Sequence, residues 1–202
     1  WRYGELALAE QVLQESRMLA KRHGVLAEEA YASYLLGYYY IGIRSAEAMA
    51  YLQRALALAE AHTEHKLTVK VLYALGWYYL NTEQIETGIA TLQRSLQLAR
   101  ALGDLRSVAH VLCYLGNGYF AAKEYAQAQQ CQQAGLSLFQ TLGIQWGVAQ
   151  AQYGLLHVAY AQGDYAESRQ LCERTIPLYQ KTGVHPTMLT SLQCIYAVVC
   201  AS

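Results

Sequence analysis

Leu-Gly recurs in this chain at Leu36-Gly37, Leu75-Gly76 and Leu115-Gly116, 39 or 40 residues apart, and Leu155-Leu156 stands where a fourth copy falls. A second set of landmarks keeps the same beat, because Leu102-Gly103, Leu142-Gly143 and Thr182-Gly183 are 40 residues apart. A fixed period of roughly 20 to 50 residues marks stacked supersecondary units, each too small to bury its own apolar face and stable only against its neighbours. Two phased landmarks therefore predict a repeat array. The intervening residues say of which kind: Leu92, Ser95, Leu96 and Ala99 follow the i, i+3, i+4, i+7 spacing of one helix face, and Val108, Val111, Leu112 and Leu115 repeat it. Strand signals are absent.

The spacing predicts ten helices, over 3–23, 28–41, 45–62, 65–82, 85–102, 105–122, 125–142, 145–162, 165–181 and 187–200. Short connections make successive helices antiparallel. The turns carry the chemistry for this at Gly103-Asp104 and Gly163-Asp164, where Gly adopts the left-handed conformation that ends a helix and Asp caps the next. Pro186 is placed to open the last helix, whereas Pro177 falls inside a helical stretch and is expected to kink it or end it early. Glu28, Glu29 and Glu124 read as solvated carboxylates at helix starts, favourable near the positive end of the dipole. Counted by the landmarks, one helical-repeat domain covers 1–202, as a half-repeat 1–24, repeats 25–63, 64–103, 104–143 and 144–183, and a half-repeat 184–202. Neither Trp1-Arg2-Tyr3 nor Val198-Val199-Cys200 has the polarity of an end cap. A slice of a longer array is expected, with an apolar stacking face exposed at one or both ends and self-association as the hazard.

Composition mainly excludes. Only 15% of the residues are charged, against roughly 25% in an average domain. The 15 basic and 15 acidic residues balance, which leaves no net charge to release counterions from a nucleic acid or to attract an anionic membrane. No apolar run approaches the roughly 18 residues of a membrane-spanning helix. The five cysteines are odd in number and form no Cys-x-x-Cys pair, so a reduced, cytoplasmic chain with cysteines as small buried hydrophobes is expected. Neither a phosphate-binding Gly-x-x-x-x-Gly-Lys segment nor a Gly-x-Ser-x-Gly elbow occurs, so the chain reads as no enzyme and as needing no cofactor. The strongest metal candidate joins His110 and Cys113 to His157. His157 lies seven positions further along its helix than His110, about 10 Å at roughly 1.5 Å per residue, too far for ligands that must sit near ~2 Å from one ion.

Leu115-Gly116-Asn117-Gly118-Tyr119, followed by Tyr125-Ala126-Gln127-Ala128, resembles a tetratricopeptide repeat. Ala161-Gln162-Gly163-Asp164-Tyr165-Ala166 resembles the turn and second-helix start of the same family, and Leu75-Gly76-Trp77-Tyr78-Tyr79 with Gly88 in the small-residue position fits too. Leu156 and Ala159 depart from the pattern, and the unit is 40 residues long where the commonest has ~34. The resemblance implies an all-α, right-handed superhelical solenoid of antiparallel helix pairs, in which Gly37, Gly76 and Gly116 let the two helices of a unit approach closely. The longer unit is similar to arrays of bacterial signal-transduction ATPases and maltose-activator-like transcription regulators, of spindle-orientation scaffolds and of kinesin light chains. Richness in Gln, Ala, Leu and Tyr points to a bacterial source.

In that family the first helix of each unit lines a concave groove. Carried over copy by copy, the groove positions are Tyr31, Tyr34 and Tyr38; Lys70, Tyr73, Trp77 and Asn81; His110, Cys113, Asn117 and Phe120; Gln150, Tyr153, His157 and Tyr160; and Gln193 in the last half-unit. Such a surface is aromatic, polar and nearly uncharged. Only Lys70 and Asn117 match the residues with which chaperone-tail clamps of the family hold a carboxylate, so that ligand is not expected. Rings beside Asn, Gln and His suit a peptide backbone, a partner helix or a neutral, sugar-like small molecule. Aromatics at this spacing also pack between neighbouring helices. The reading is a non-enzymatic scaffold that binds a protein or peptide segment, as the regulatory part of a larger bacterial signalling protein; the alternative is an inducer-sensing domain of a transcription regulator.

Overall fold

The computed structural model describes residues 3–182 and 186–201. Within them the chain forms ten helices: α1 (Tyr3–His23), α2 (Leu26–Tyr40), α3 (Ser45–Ala61), α4 (His65–Asn81), α5 (Ile85–Ala101), α6 (Leu105–Ala121), α7 (Tyr125–Thr141), α8 (Gln145–Ala161), α9 (Tyr165–Thr182) and α10 (Pro186–Ala201). No strand occurs among the described residues. The helices fall where the periodicity places them, and Pro186 opens α10. The Gly183 landmark and the Trp1-Arg2 start lie outside the described residues.

The turns explain the second landmark. Gly103 and Gly163 have φ of +64° and +80°, the left-handed conformation that glycine adopts without steric cost. After α5 the Gly103 N–H donates to the Arg100 carbonyl (3.0 Å) and the Asp104 N–H to the Ala99 carbonyl (3.1 Å), so two otherwise orphaned helix-end carbonyls are satisfied. Asp164 also caps α9, its Oδ1 accepting the Glu167 N–H at 3.0 Å. Thr63, Glu83 and Lys123 occupy the same place in their turns with φ of 55°, 61° and 62°. Each non-glycine there costs roughly 1–2 kcal/mol. The same paired bonds hold them, as at Lys123 N–H to Phe120 and Glu124 N–H to Tyr119 (2.9 and 2.8 Å).

Two compact units divide the chain, one ending at Asp104 and the other beginning at Leu105. In the first, α2 packs on α3 and α4 on α5. A Cβ at Gly37 would stand 2.7 Å from Leu52 Cγ, and one at Gly76 would collide with Leu92. The glycines are therefore the floor on which a fully buried leucine of the next helix rests. In the second unit α6 packs on α7 and α8 on α9. Gly116 faces Gln132, its Cβ position 2.6 Å from the Gln132 Nε2. Where Leu156 replaces glycine, the residue in register with Leu52, Leu92 and Gln132 is the small, buried Cys172.

Three points differ from expectation. Of the two outcomes expected at Pro177, the early end does not occur, since the helix runs on to Thr182. The lost backbone bond is outweighed by the face that carries buried Cys172, Thr175 and Tyr179 into the core. Glu29 is not solvated: it is 1% exposed, and its carboxylate takes a 3.0 Å bond from Arg54 Nε on α3, because this position of α2 faces the neighbouring helix. Glu28 and Glu124 are exposed as read. Among the cysteines, Cys113 and Cys172 are buried, but Cys194 and Cys200 on α10 are exposed. No helix among the described residues is long and apolar enough to cross a membrane.

Candidate functional site

In the first unit, helical spacing puts Tyr31, Tyr34 and Tyr38 on one face of α2, and the 39-residue period puts Tyr73 of α4 beside them. The Tyr34 and Tyr73 hydroxyls meet at 2.6 Å. Their rings stand edge to face at 6.4 Å between centroids, and Tyr38 meets Tyr73 in the same way at 6.4 Å, a geometry favoured by the ring quadrupoles. Tyr34 is itself buried, so it braces its neighbours; Tyr31 and Tyr38 are 46% and 40% exposed. Burial, and then the neighbouring phenols, push the Tyr34 hydroxyl well above its ordinary value, and burial pushes Tyr73 up to about 12. Lys70 places its ammonium 5.5 Å from the centre of the Tyr31 ring, within cation–π range. Trp77 is half-buried and Asn81 exposed, the Asn81 Nδ2 donating to the Trp77 carbonyl at 2.8 Å.

In the second unit the rings form two groups. His110 of α6 lies tilted against Trp146 at 4.6 Å between centroids and meets Phe139 edge to face at 5.0 Å. His157 of α8 packs edge-on against Tyr153 at 4.4 Å and against Phe120 at 6.0 Å. Burial lowers the pKa of His157, which favours the neutral ring. The Tyr153 hydroxyl lies 3.3 Å from Ser191 Oγ of α10, and Tyr160 packs on Tyr165 at 5.7 Å. Asn117 is half-buried, with Oδ1 accepting from Gln132 Nε2 at 2.9 Å. Gln150 is half-buried, and its Oε1 has no partner among the described residues. Cys113 is fully buried behind this face, and Gln193 is exposed.

Several ring contacts escaped the groove positions. Trp146, 45% exposed, covers His110. Tyr125 and Tyr165 open α7 and α9 and pack on Phe120 and Tyr160 at 5.8 and 5.7 Å. Both partners of this pair recur at 40 residues, so the signal was present in the sequence as a second aromatic register. Tyr179, buried against Tyr153 at 6.1 Å, stands 40 residues after the buried Phe139, so it too belongs to an aromatic register present in the sequence.

No protein-family profile matches the chain, and no curated protein sequence does either. Solved structures are similar in fold. BtubC (BKLC) of P. vanneervenii superimposes with a TM-score of 0.73 at 17% identity, over 96% of this chain and 81% of that one. A Rap protein complexed with Competence and Sporulation Factor gives 0.73 at 16% identity, over 86% of this chain and 54% of that one. A Signal Transduction ATPase with Numerous Domains from Pyrococcus horikoshii, a protein with a tetratricopeptide repeat sensor, gives 0.69 at 14% identity. There the match covers 96% of this chain but 34% of the ATPase, so the chain spans only about a third of that protein. With its phased Leu-Gly landmarks, antiparallel helix pairs and glycine-floored seams, the chain has the fold of a tetratricopeptide-like helical-repeat array.

Proposed function

We propose that the chain is a non-enzymatic recognition domain that binds a protein or peptide segment on the aromatic faces of its first-of-pair helices. The observation that carries this is the tyrosine group of the first unit, where the exposed Tyr31 and Tyr38 rings flank the hydroxyl-paired Tyr34 and Tyr73. Rings already held by packing lose little freedom on binding, and each offers an apolar face with a polar tip. The cavities of this unit open widely to solvent, which suits an elongated segment better than a small molecule that has to bury roughly 70–90% of its surface. The Rap protein complexed with Competence and Sporulation Factor, and the repeat sensor of the ATPase, support recognition within a larger signalling protein as its setting.

Random 15-residue peptides displayed on phage and selected on the 202-residue chain provide the test. Selected peptides are expected to lose at least tenfold in affinity, by titration calorimetry, to Tyr38→Ala or Trp77→Ala in the first unit or to Tyr153→Ala in the second, with melting nearly unchanged. Equal binding to all three variants would sink the assignment.

A further inference from the structure

The aromatic face of the first unit has an interval that selects the conformation of what lies on it. Tyr31 and Tyr38, its exposed tyrosines, are seven residues apart on α2, which sets them about 10.5 Å apart along the helix at roughly 1.5 Å per residue. The enclosed Tyr34 ring lies 6.0 Å from one and 6.2 Å from the other, and with Tyr73 it forms a floor between them. A segment that meets both outer rings must present like groups at that interval. A β-strand presents one side after about 6.6 Å and again after about 13 Å, and so misses the second ring. A polyproline II segment has three residues per turn and rises about 3.1 Å per residue, so every third residue returns to one edge after about 9.3 Å. An α-helix also matches, seven residues on, and hydrogen bonding separates these two.

The groove offers donors without a net charge. The Tyr31 hydroxyl and the Lys70 ammonium held against its ring have no hydrogen-bond or ion-pair partner among the described residues. Such donors take carbonyls. An α-helix has spent all but its last four carbonyls on itself, whereas polyproline II leaves every carbonyl unbonded. Lys66 and Lys70 are balanced by Glu28 and Glu64 around one cavity, and toward Tyr38 the face continues in the neutral Trp77 and Asn81. Charge therefore complements a neutral segment. The groove positions of α2 and α4 hold five aromatic rings and no aliphatic side chain, the kind of lining on which proline rings pack.

Resting on the peptide-binding reading of this groove, we propose that the segment it takes is neutral and proline-rich, in the polyproline II conformation. Prolines three residues apart lie on the Tyr31 and Tyr38 rings, and backbone carbonyls accept from the Tyr31 hydroxyl and from Lys70. Proline fixes φ before binding, so such a segment loses little freedom as it docks.

The probe is a peptide of four Ala-Pro-Pro units, acetylated and amidated so that it carries no charge, titrated into the 202-residue chain by calorimetry. Saturable binding is expected that falls at least tenfold with Tyr31→Ala or Tyr38→Ala, and about threefold with Tyr31→Phe, which keeps the ring. It is expected to change less than twofold between roughly 0.05 and 0.5 M salt. Alanine in place of every proline should weaken the peptide at least tenfold, and Tyr153→Ala in the second unit should leave it bound as before. Circular dichroism confirms that each variant is folded. Among the phage-selected peptides, prolines three residues apart are expected to be enriched. The proposal is overturned if the proline peptide does not bind, if the alanine peptide binds equally, or if binding survives both Tyr31→Ala and Tyr38→Ala. It is overturned with the groove reading intact if selected peptides lose affinity to Tyr38→Ala yet are acidic or lack such prolines. If neither the selected peptides nor the proline peptide responds to any ring variant, the groove reading falls as well.

Discussion

The two units close the same seam with different chemistry. In the first, Gly37 and Gly76 lie over the buried leucines Leu52 and Leu92, and the contact is wholly apolar. In the second, Gly116 lies over Gln132, a 2% exposed amide that donates from Nε2 to the Cys113 carbonyl (3.0 Å) and to Asn117 Oδ1 (2.9 Å). Gly154 of α8 closes on the other side of the same amide. The next seam inverts the sizes, with Leu156 against the Cys172 register. What repeats is therefore a shared volume between facing positions, because interiors are close-packed and tolerate exchange only when total volume is kept.

Exchanging the two chemistries breaks the comparison most strongly. Leu92→Gln in the first unit is expected to cost about 3 kcal/mol in urea unfolding, since it removes a buried leucine and leaves an amide without the Asn partner that Gln132 has. Gln132→Leu in the second is expected to stay within about 1 kcal/mol, because the polar group and its unpaired Oε1 leave together. Next in size, Gly116→Leu is expected to cost about 2 kcal/mol by overpacking against Gln132. Adding Gln132→Cys imitates the Leu156 and Cys172 seam and should recover most of that loss; no recovery would mean that volume is not the shared quantity.

The aromatic groups sharpen the comparison with smaller effects. Tyr73→Phe in the first unit is expected to cost about 1–2 kcal/mol by leaving the buried Tyr34 hydroxyl unpaired, whereas the double change with Tyr34→Phe should cost less than the single one. Calorimetric melting of the four proteins measures the cycle. In the second unit burial lowers the His157 pKa, so the unfolded chain takes up its proton first, near pH 6.5. Stability present above that pH is lost as pH falls through it. A shallower decline of Tm below about pH 6.5 in His157→Phe, with no change above it, is the expected and smallest effect.

The helix map was legible to within two residues at every boundary, because a 3.6-residue apolar stripe and glycine turns are local signals. Thr63, Glu83 and Lys123 were not legible as left-handed turn residues. Nothing in their side chains announces that conformation; the turn is imposed by the helices it joins. Glu29 was misplaced for a related reason, since a carboxylate in a first helical turn looks alike whether it meets water or an arginine 25 residues on. On the candidate face the aromatic positions could be named from the repeat, but not that Tyr34 is enclosed while Tyr31 and Tyr38 are open. All three share one helix face, and only the approach of Tyr73 tells them apart.

By itself the sequence determined the period, the helical class and the pairing of successive helices, since these follow from spacing, turn residues and the need of each amphipathic unit for a neighbour. The tertiary structure alone decided which residues of each face are spent in packing and which meet solvent. It also decided that Gly116 and Gly154 both close on the amide of Gln132. Those outcomes depend on contacts between residues far apart in the chain, whose geometry no local pattern encodes.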